Sequence, residues 1–500
     1  MPFNYVTVTT SSDLFAPATR AFGDILVVGK GAFGGTSSEP RSFSYPSEAV
    51  AAYPPGSSAL TEDVASGVSA IKTRVQFAAG TALAIGKDNA VDVRKVSTVS
   101  APAEGVYTHT LDNALGTAHR TGDAVIAQGT SDLAAAISMA FRQKPPPTRV
   151  WGLEVAHDSP DWRGALTTAE DLPVQIVVLA NTPLGNPESQ AVDNPQGQTG
   201  GGAGPGQQDT DGKGEDRPED EYDDAGDEDE DEGEGADADA GAGAGGEEAP
   251  AKSPVALLAV HVDTVSNTGG DGKERIGVAM LDSTLTAQEQ AELNTGDVHT
   301  DRMVLIAHKS STDDVAAAVA GVIAGYEPHV SLLLKPLSIS MPGTFTATEI
   351  DAFVAKSVNW VASPTMLPGH GLYLGEGLTA SESGNRKYID IVRTLDDISF
   401  RVKAALIQAV GDLRIDRPGL RTIVTLVQTV LSPLVTRGVL EDYAIHIPLL
   451  VLLERERATL NAVDIQKISD GRAARSVEME VSVVYTGVIH KIAVKLELKG

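Results

Sequence analysis

The sequence predicts a mixed α/β (α+β) chain of several domains: an α/β core, an inserted β-rich subdomain and a strand at each end. Three observations predict it. Strand-like apolar runs alternate with capped helices through much of the chain, as in an α/β core. Residues 73–130 are aliphatic and strand-like without a helical period ("TALAIGKDNAVDVRKVSTVSA", "DAVIAQG"). Both extremities, "NYVTVTT" and "KIAVKLELKG", alternate apolar and polar residues with the period of a strand. With 500 residues and 42% hydrophobic content, the chain is long enough for two or three cores.

Taken in order, "DILVVGKGAFGG" reads as a buried strand running into a Gly-rich turn. In "SDLAAAISMAFRQKPPP", Ser131 caps a helix, Leu133, Ile137 and Phe141 share a face, and the prolines end it. "DLPVQIVVLANTP" and "PVALLAVHVDTV" read as strands on either side of a tract at 195–254. "RMVLIAHKSSTDDVAAAVAGVIAGYEP" is a strand, a cap and a helix. Asp313 and Asp314 stand at the start of that helix, Val315, Val319, Val322 and Ile323 form its stripe, and Gly325 ends it. Thr346 and Glu349 form a capping box for the helix that follows.

"GNRKYIDIVRTLDDISFRVKAALIQAV" predicts a long helix with Tyr388, Val392, Leu395, Ile398, Val402, Leu406 and Ala409 on one stripe. Around them stand Arg386, Lys387, Asp390, Arg393, Asp396, Asp397, Arg401 and Lys403, with Asp397 and Arg401 at pairing distance along the helix. These charges read either as a solvated face or as an interface. At the extremities, Ile492, Val494, Leu496 and Leu498 share one strand face, and the stretch around Tyr5, Val6 and Val8 alternates likewise. Unpaired alternating strands invite pairing with another chain.

The net charge is −29, and much of it is local. Between Asp209 and Glu248 stand 20 acidic residues against Lys213 and Arg217, which leaves −11 for the remainder. Apart from Tyr222, that tract has almost no side chain able to form a core, so it is expected to be a disordered, self-repelling loop expanded inside one domain. The mildly acidic body argues against nucleic-acid binding through a basic face. Without cysteine, neither disulfides nor thiolate metal sites contribute. The first residues lack the basic and apolar regions of a secretory signal, and no uninterrupted apolar run has transmembrane length, so a soluble protein without membrane insertion is expected.

The short motifs resolve mostly into structure. Gly29, Gly31 and Gly34 satisfy G-x-G-x-x-G after a strand, but the proline-containing "GTSSEPRSFSYPSE" follows where a phosphate-binding helix is required, so a turn is expected. His261 and Asp263 form an H-x-D pair that resembles the first ligands of M20-type zinc peptidases. His299, Asp301 and His308 are further candidates, but the only Glu–Glu pair, Glu247–Glu248, falls in the acidic tract. A calcium loop starting from Asp227, Asp229 and Asp231 fails because Glu232 takes the place of the turn glycine and Ala238 that of the bidentate Glu. No catalytic, cofactor-binding or metal residue is therefore assigned, and no cofactor is expected.

Three stretches together resemble the contractile tail sheath proteins of tailed phages and contractile injection systems. They are residues 23–71 ("GDILVVGKGAFGG…SYPSEAV…VSAI"), residues 313–337 ("DDVAAAVAGVIAGYEPHVSLLLKPL") and the helices "NRKYIDIVRTLDDISFRVKAAL" and "RPGLRTIVTLVQTVLSPLVTRGVLEDYAIHI". The resemblance implies a non-enzymatic subunit that stacks as rings around an inner tube and contracts to drive the tube through an envelope. It implies that both terminal arms add strands to a sheet of neighbouring subunits, that the C-terminal core faces the tube through charged contacts, and that inserted domains face outward. Baseplate and tail-terminator proteins would be further partners, and the particle would be a virion tail assembled in the host cytoplasm, or an injection particle. The long acidic insertion departs from the family and suits a salt-adapted host.

On this reading residues 1–20 are the N-terminal arm, 21–72 the first part of the core, 73–130 the β-rich insertion and 131–360 a central α/β domain. The acidic tract interrupts the central domain at 195–254, 361–480 form the tube-facing core and 481–500 the C-terminal arm strands. The residues expected at interfaces are Tyr5, Val6, Val8, Ile492, Val494, Leu496 and Leu498 in the arms, and Arg386, Lys387, Asp390, Arg393, Asp397, Arg401 and Lys403 on the long helix. Two alternatives stand beside it: a zinc-dependent hydrolase using His261 and Asp263, and a non-contractile acidic virion or surface assembly protein.

Overall fold

A computed structural model describes residues 23–31, 39–54, 56–77, 79–87, 90–100, 102–129, 131–156, 160–185, 252–268, 272–367, 371–382, 384–407 and 409–490. The predicted arm residues Tyr5, Val6, Val8, Ile492, Val494, Leu496 and Leu498, and the acidic tract, lie outside them.

The chain enters through β1 (Ile25–Lys30), the strand read from "DILVVGK". Its side chains alternate between two cores: Ile25 and Val27 lie in one, Leu26 and Val28 in the other. A strand buried on both faces belongs at the centre of a parallel sheet, and β1 occupies that place. After β2 (Arg41–Phe43) and α1 (Pro46–Ala52), the chain leaves this sheet for six short strands. These are β3 (Ser57–Ala59), β4 (Ala70–Thr73), β5 (Ala82–Lys87), β6 (Ala90–Val99), β7 (Tyr107–Leu111) and β8 (Ala124–Ala127), ordered β3-β8-β5-β6-β7-β4. A bridge between Leu60 and Thr73 brings the two edges of this sheet together, so it closes around its own core of Leu83, Ile85, Val96 and Val125.

The chain returns through α2 (Asp132–Phe141), which Ser131 caps as expected, accepting from Ala134 N. β9 (Val150–Val155) pairs with β1 on one side. After α3 (Trp162–Ala169), β10 (Ile176–Leu179) pairs with β1 on the other. α4 (Pro254–Thr268), β11 (Ile276–Met280), α5 (Ala287–Glu292), β12 (Met303–Ala307) and α6 (Val315–Gly325) continue the winding. β13 (Pro336–Leu337), α7 (Ala347–Ala355), β14 (Asn359–Ala362) and β15 (Leu372–Leu374) complete the sheet, ordered β13-β15-β14-β12-β11-β10-β1-β9-β2. The run from β9 to β14 is parallel. Helices α1, α2 and α6 cover one face, and α3, α4, α5 and α7 the other.

The structure corrects one secondary-structure expectation. "PVALLAVHVDTV" is not a strand but most of α4, a helix of 15 residues. Residues from Val255 to Val262 are buried almost all round, so no amphipathic period shows, and only length distinguishes such a helix from a buried strand. α6 has the same character: every residue from Val315 to Ala324 is buried, on all sides and not only along a stripe. Asp314 is its N-cap, accepting from Ala317 N, and Thr346 with Glu349 forms the predicted capping box of α7.

The C-terminal part is built from α8 (Ile389–Ile407), α9 (Arg417–Thr436), β16 (Leu440–His446), α10 (Pro448–Glu454), α11 (Ala462–Ala474) and β17 (Glu480–Tyr485). α8 is shorter than its predicted stripe: Tyr388 precedes it and Ala409 follows it. Ile398, Val402 and Leu406 of α8 meet Val427, Leu431 and Leu434 of α9 and Leu440 and Val483 of the strands in a separate core.

Candidate functional site

β16 and β17 pair antiparallel from Leu440↔Tyr485 to His446↔Glu480, with a register shift between Leu440 and Asp442. They form a sheet of two strands, and among the described residues no third strand joins either edge. A two-stranded ribbon is marginal alone, and this one is held from a single side by α8 and α9. Each outer edge is a row of backbone donors and acceptors aligned for a further strand. Residues 481–485, predicted as the opening of the C-terminal arm, are thus paired inside the chain.

The base of this ribbon is tied to the first turn of α8, whose Ile389 and Val392 pack in the α/β core. Tyr485 donates its hydroxyl to Asp390 Oδ2 at 2.8 Å. Burial pushes the Asp390 carboxyl upward, and burial together with the neighbouring Asp390 charge holds the Tyr485 hydroxyl well above its usual range.

Of the seven charged residues predicted for an interface on the long helix, Asp390, Arg393 and Asp397 are only 4%, 9% and 3% exposed. Arg386, Lys387, Arg401 and Lys403 are half-buried. Three of these four pair inside the chain: Arg386 with Asp301 at 3.1 Å, Arg401 with Asp397 at 3.5 Å and Lys403 with Glu274 at 2.9 Å. Arg393 Nη2 donates to the Tyr326 carbonyl at 3.1 Å, and burial draws both Arg393 and Arg401 down to about 10. Sequence reasoning named these charges but missed their partners, which lie 67 to 129 residues away in three of these contacts. The buried Arg302–Asp396 pair at 2.6 Å was missed for the same reason.

The metal candidates do not converge. His261 and Asp263 stand on α4 and not at the end of a strand. His261 is buried, while Asp263, two residues on, is exposed. His261 Nε2 faces the guanidinium of Arg275 at 3.1 Å, and burial followed by that positive charge pushes the ring down to about 3. A ring held beside a fixed cation is a poor first ligand for a second one. Asp301 is taken by Arg386, and His299 Nδ1 lies 3.3 Å from Asn294 Oδ1. Among the described residues no group of three His, Asp or Glu is placed to hold a metal ion. Gly29 lies inside β1, and among the described residues the first helix after that strand begins at Pro46. Gly34 and the calcium-like run lie outside the described residues.

No family model matches this chain, and no curated protein matches it. Solved structures do. The anti-feeding prophage helical sheath in its contracted state is 9% identical, with a TM-score of 0.52 over 100% of this chain and 99% of the other. The sheath complex of an extracellular contractile injection system, also contracted, is 11% identical with a TM-score of 0.51 over 100% and 98%. A chain of the anti-feeding prophage baseplate is 9% identical with a TM-score of 0.51 over 100% and 99%. With so little identity the likeness is one of architecture and extends over the whole length. The chain has the fold of the contractile-sheath subunits.

Proposed function

We propose that this chain is a non-enzymatic structural subunit of a contractile tail sheath. On this reading it polymerises as stacked rings around an inner tube and contracts to drive that tube through an envelope. The observation that carries the reading is the β16–β17 ribbon, a sheet with both outer edges unpaired among the described residues, in a chain whose two extremities alternate as strands. We assign the residues around Tyr5, Val6 and Val8 and around Ile492, Val494, Leu496 and Leu498 to the edges of this ribbon in neighbouring copies. Main-chain hydrogen bonds then give strength, and alternate side chains give register. The whole-length likeness to sheath subunits supports the same reading.

The inner tube, a baseplate and a tail terminator are the partners this role requires, in a virion tail or an injection particle. The order of domains is retained as part of this proposal, but the boundaries expected at 72, 360 and 480 move, because the inserted sheet spans Ser57–Ala127, the large sheet continues to Leu374 and β17 pairs with β16. The acidic insertion is placed facing outward, where repulsion between copies is least. The hydrolase alternative is disfavoured by the position of His261 and Asp263 on one helix.

Negative-stain microscopy of the purified chain tests the reading: hollow tubes with a cogwheel section are expected. Deleting residues 488–500 is expected to leave soluble monomers. Normal tubes from the truncated chain would refute the strand exchange, and an intact chain that forms no tubes at any concentration would refute the sheath.

A further inference from the structure

Beyond Tyr485 the chain leaves the ribbon. Thr486 N donates to the Val439 carbonyl at 3.3 Å, and among the described residues no backbone hydrogen bond ties 487–490 to the rest. Gly487 turns the chain with φ of +57°, in the left-handed region. Val488 and Ile489 are then 48% and 76% exposed. His490 is turned inward: its Nε2 lies 3.0 Å from Ser331 Oγ, its Nδ1 lies 3.1 Å from Glu376 Oε2, and its ring stands edge-on to Tyr388 at 4.7 Å. Under this segment is a cavity of ≈ 180 Å³, walled by Tyr388, Ile391 and Tyr485 on the body and by Gly487, Val488 and His490 on the segment.

The polarity is inverted. A segment packed permanently would bury its valine and isoleucine and leave the imidazole in water. Here two apolar side chains face solvent, and one polar ring holds the segment down over unfilled space. We propose that residues 486–490 are a releasable strap whose latch is His490, and that engagement with a second copy pulls the strap off the body. The release step rests on the assembly reading above. The Ser331 hydroxyl can donate or accept, and Glu376 accepts from Nδ1–H in either ring state, so the latch holds whether His490 is neutral or protonated. Letting go frees five residues, roughly 16 Å of reach, and gives Val488 and Ile489 a surface to pack on.

A nitroxide label on Ile489→Cys, in this chain without other cysteines, tests the latch on the isolated chain. Its immobilised fraction is expected to fall severalfold in His490→Ala, while a label at Glu441 of β16 is unchanged. Glu376→Gln, which keeps the shape, should give a smaller fall. A label at 489 already as mobile as on an unstructured peptide, or unmoved by His490→Ala, overturns the latch. The critical concentration for tube formation tests release: it should fall severalfold in His490→Ala, because nothing then opposes departure of the strap. An unchanged or higher value overturns release. Absence of tubes from both chains would remove the sheath reading, and the label would still decide the latch.

Discussion

Arg275 and His261 meet inside the chain with guanidinium Nη1 3.1 Å from ring Nε2. The same guanidinium donates to the carbonyls of Ala169, Glu170, Leu172 and Lys273, so it closes the C-terminal end of α3, where a positive charge is favoured. Its contact with His261 requires a ring nitrogen that accepts, and therefore a neutral ring. A pH dependence follows. His261 is pushed down to about 3, by burial first and Arg275 second, and His109, inside the closed sheet, is pushed down to about 4 by burial. Unfolded, both titrate near 6.5, so the unfolded chain binds protons first as pH falls, and stability is lost from about pH 6.5 downward. At pH 5 the cost is roughly 2 kcal/mol per histidine. Asp314, raised by burial to about 6, acts in the opposite sense and offsets part of the loss. The denaturant midpoint should therefore fall between pH 7 and pH 5, and His261→Gln should flatten the fall. A midpoint constant over that range would show that these rings do not titrate as their burial requires.

Gly321 gives a test of helix packing with a defined sign. A Cβ at this position would stand 2.4 Å from the Ala140 carbonyl oxygen, where α6 crosses α2. In an exposed helix Gly→Ala stabilises by about 1 kcal/mol. Here the obstacle is backbone, and Gly321→Ala should destabilise by ~1–3 kcal/mol, as overpacked cores do. Thermal unfolding decides the sign.

The residues show why some of this was legible in advance. β1 opens with four aliphatics, Ile25 to Val28, between Asp24 and Gly29, and such a run fits little but a central strand. Ser131, Thr346 and Glu349 make their capping bonds within their own helical turn, so the caps show in a few letters, whereas the Ser131 bond to the Tyr53 carbonyl and the Glu349 pair with Lys309 do not. α4 was misread because burial on nearly every side erases the helical period. The charges of α8 were visible, but Glu274, the Tyr326 carbonyl and Asp301 reach them only through tertiary folding. His490 carried no local signal at all: Ser331 and Glu376 lie 159 and 114 residues away.

Asp92 is the polar node of the closed six-stranded sheet. It accepts from Gly116 N, Thr117 N and the Thr117 hydroxyl at 2.8–3.0 Å and lies 3.0 Å from His119 Nε2. Burial would raise its carboxyl, yet these donors hold it far below the usual range. Asp92→Ala should leave several donors without an acceptor and cost ~3 kcal/mol or more. Exchange should quicken in residues 57–127 while β1 and β12 stay protected. Uniform protection in both places would show that the node is dispensable.

Arg393 decides whether α8 is an interface or a core element. Its side chain is buried, donates to the Tyr326 carbonyl, and has Asp397, Asp390 and Asp396 as charged neighbours. Removing one partner from such a buried group leaves uncompensated charge and typically costs ~3–5 kcal/mol. Arg393→Ala should therefore lower the denaturant midpoint of the isolated monomer, before any assembly is involved. Arg393→Met should do the same, since filling the volume does not neutralise the three carboxylates. An interface residue would behave differently, leaving monomer stability unchanged while raising the concentration needed for polymer. If Arg393→Ala monomers unfold at the unaltered midpoint and only assembly suffers, the burial seen here does not hold the helix, and the charged face of α8 belongs to a contact between molecules.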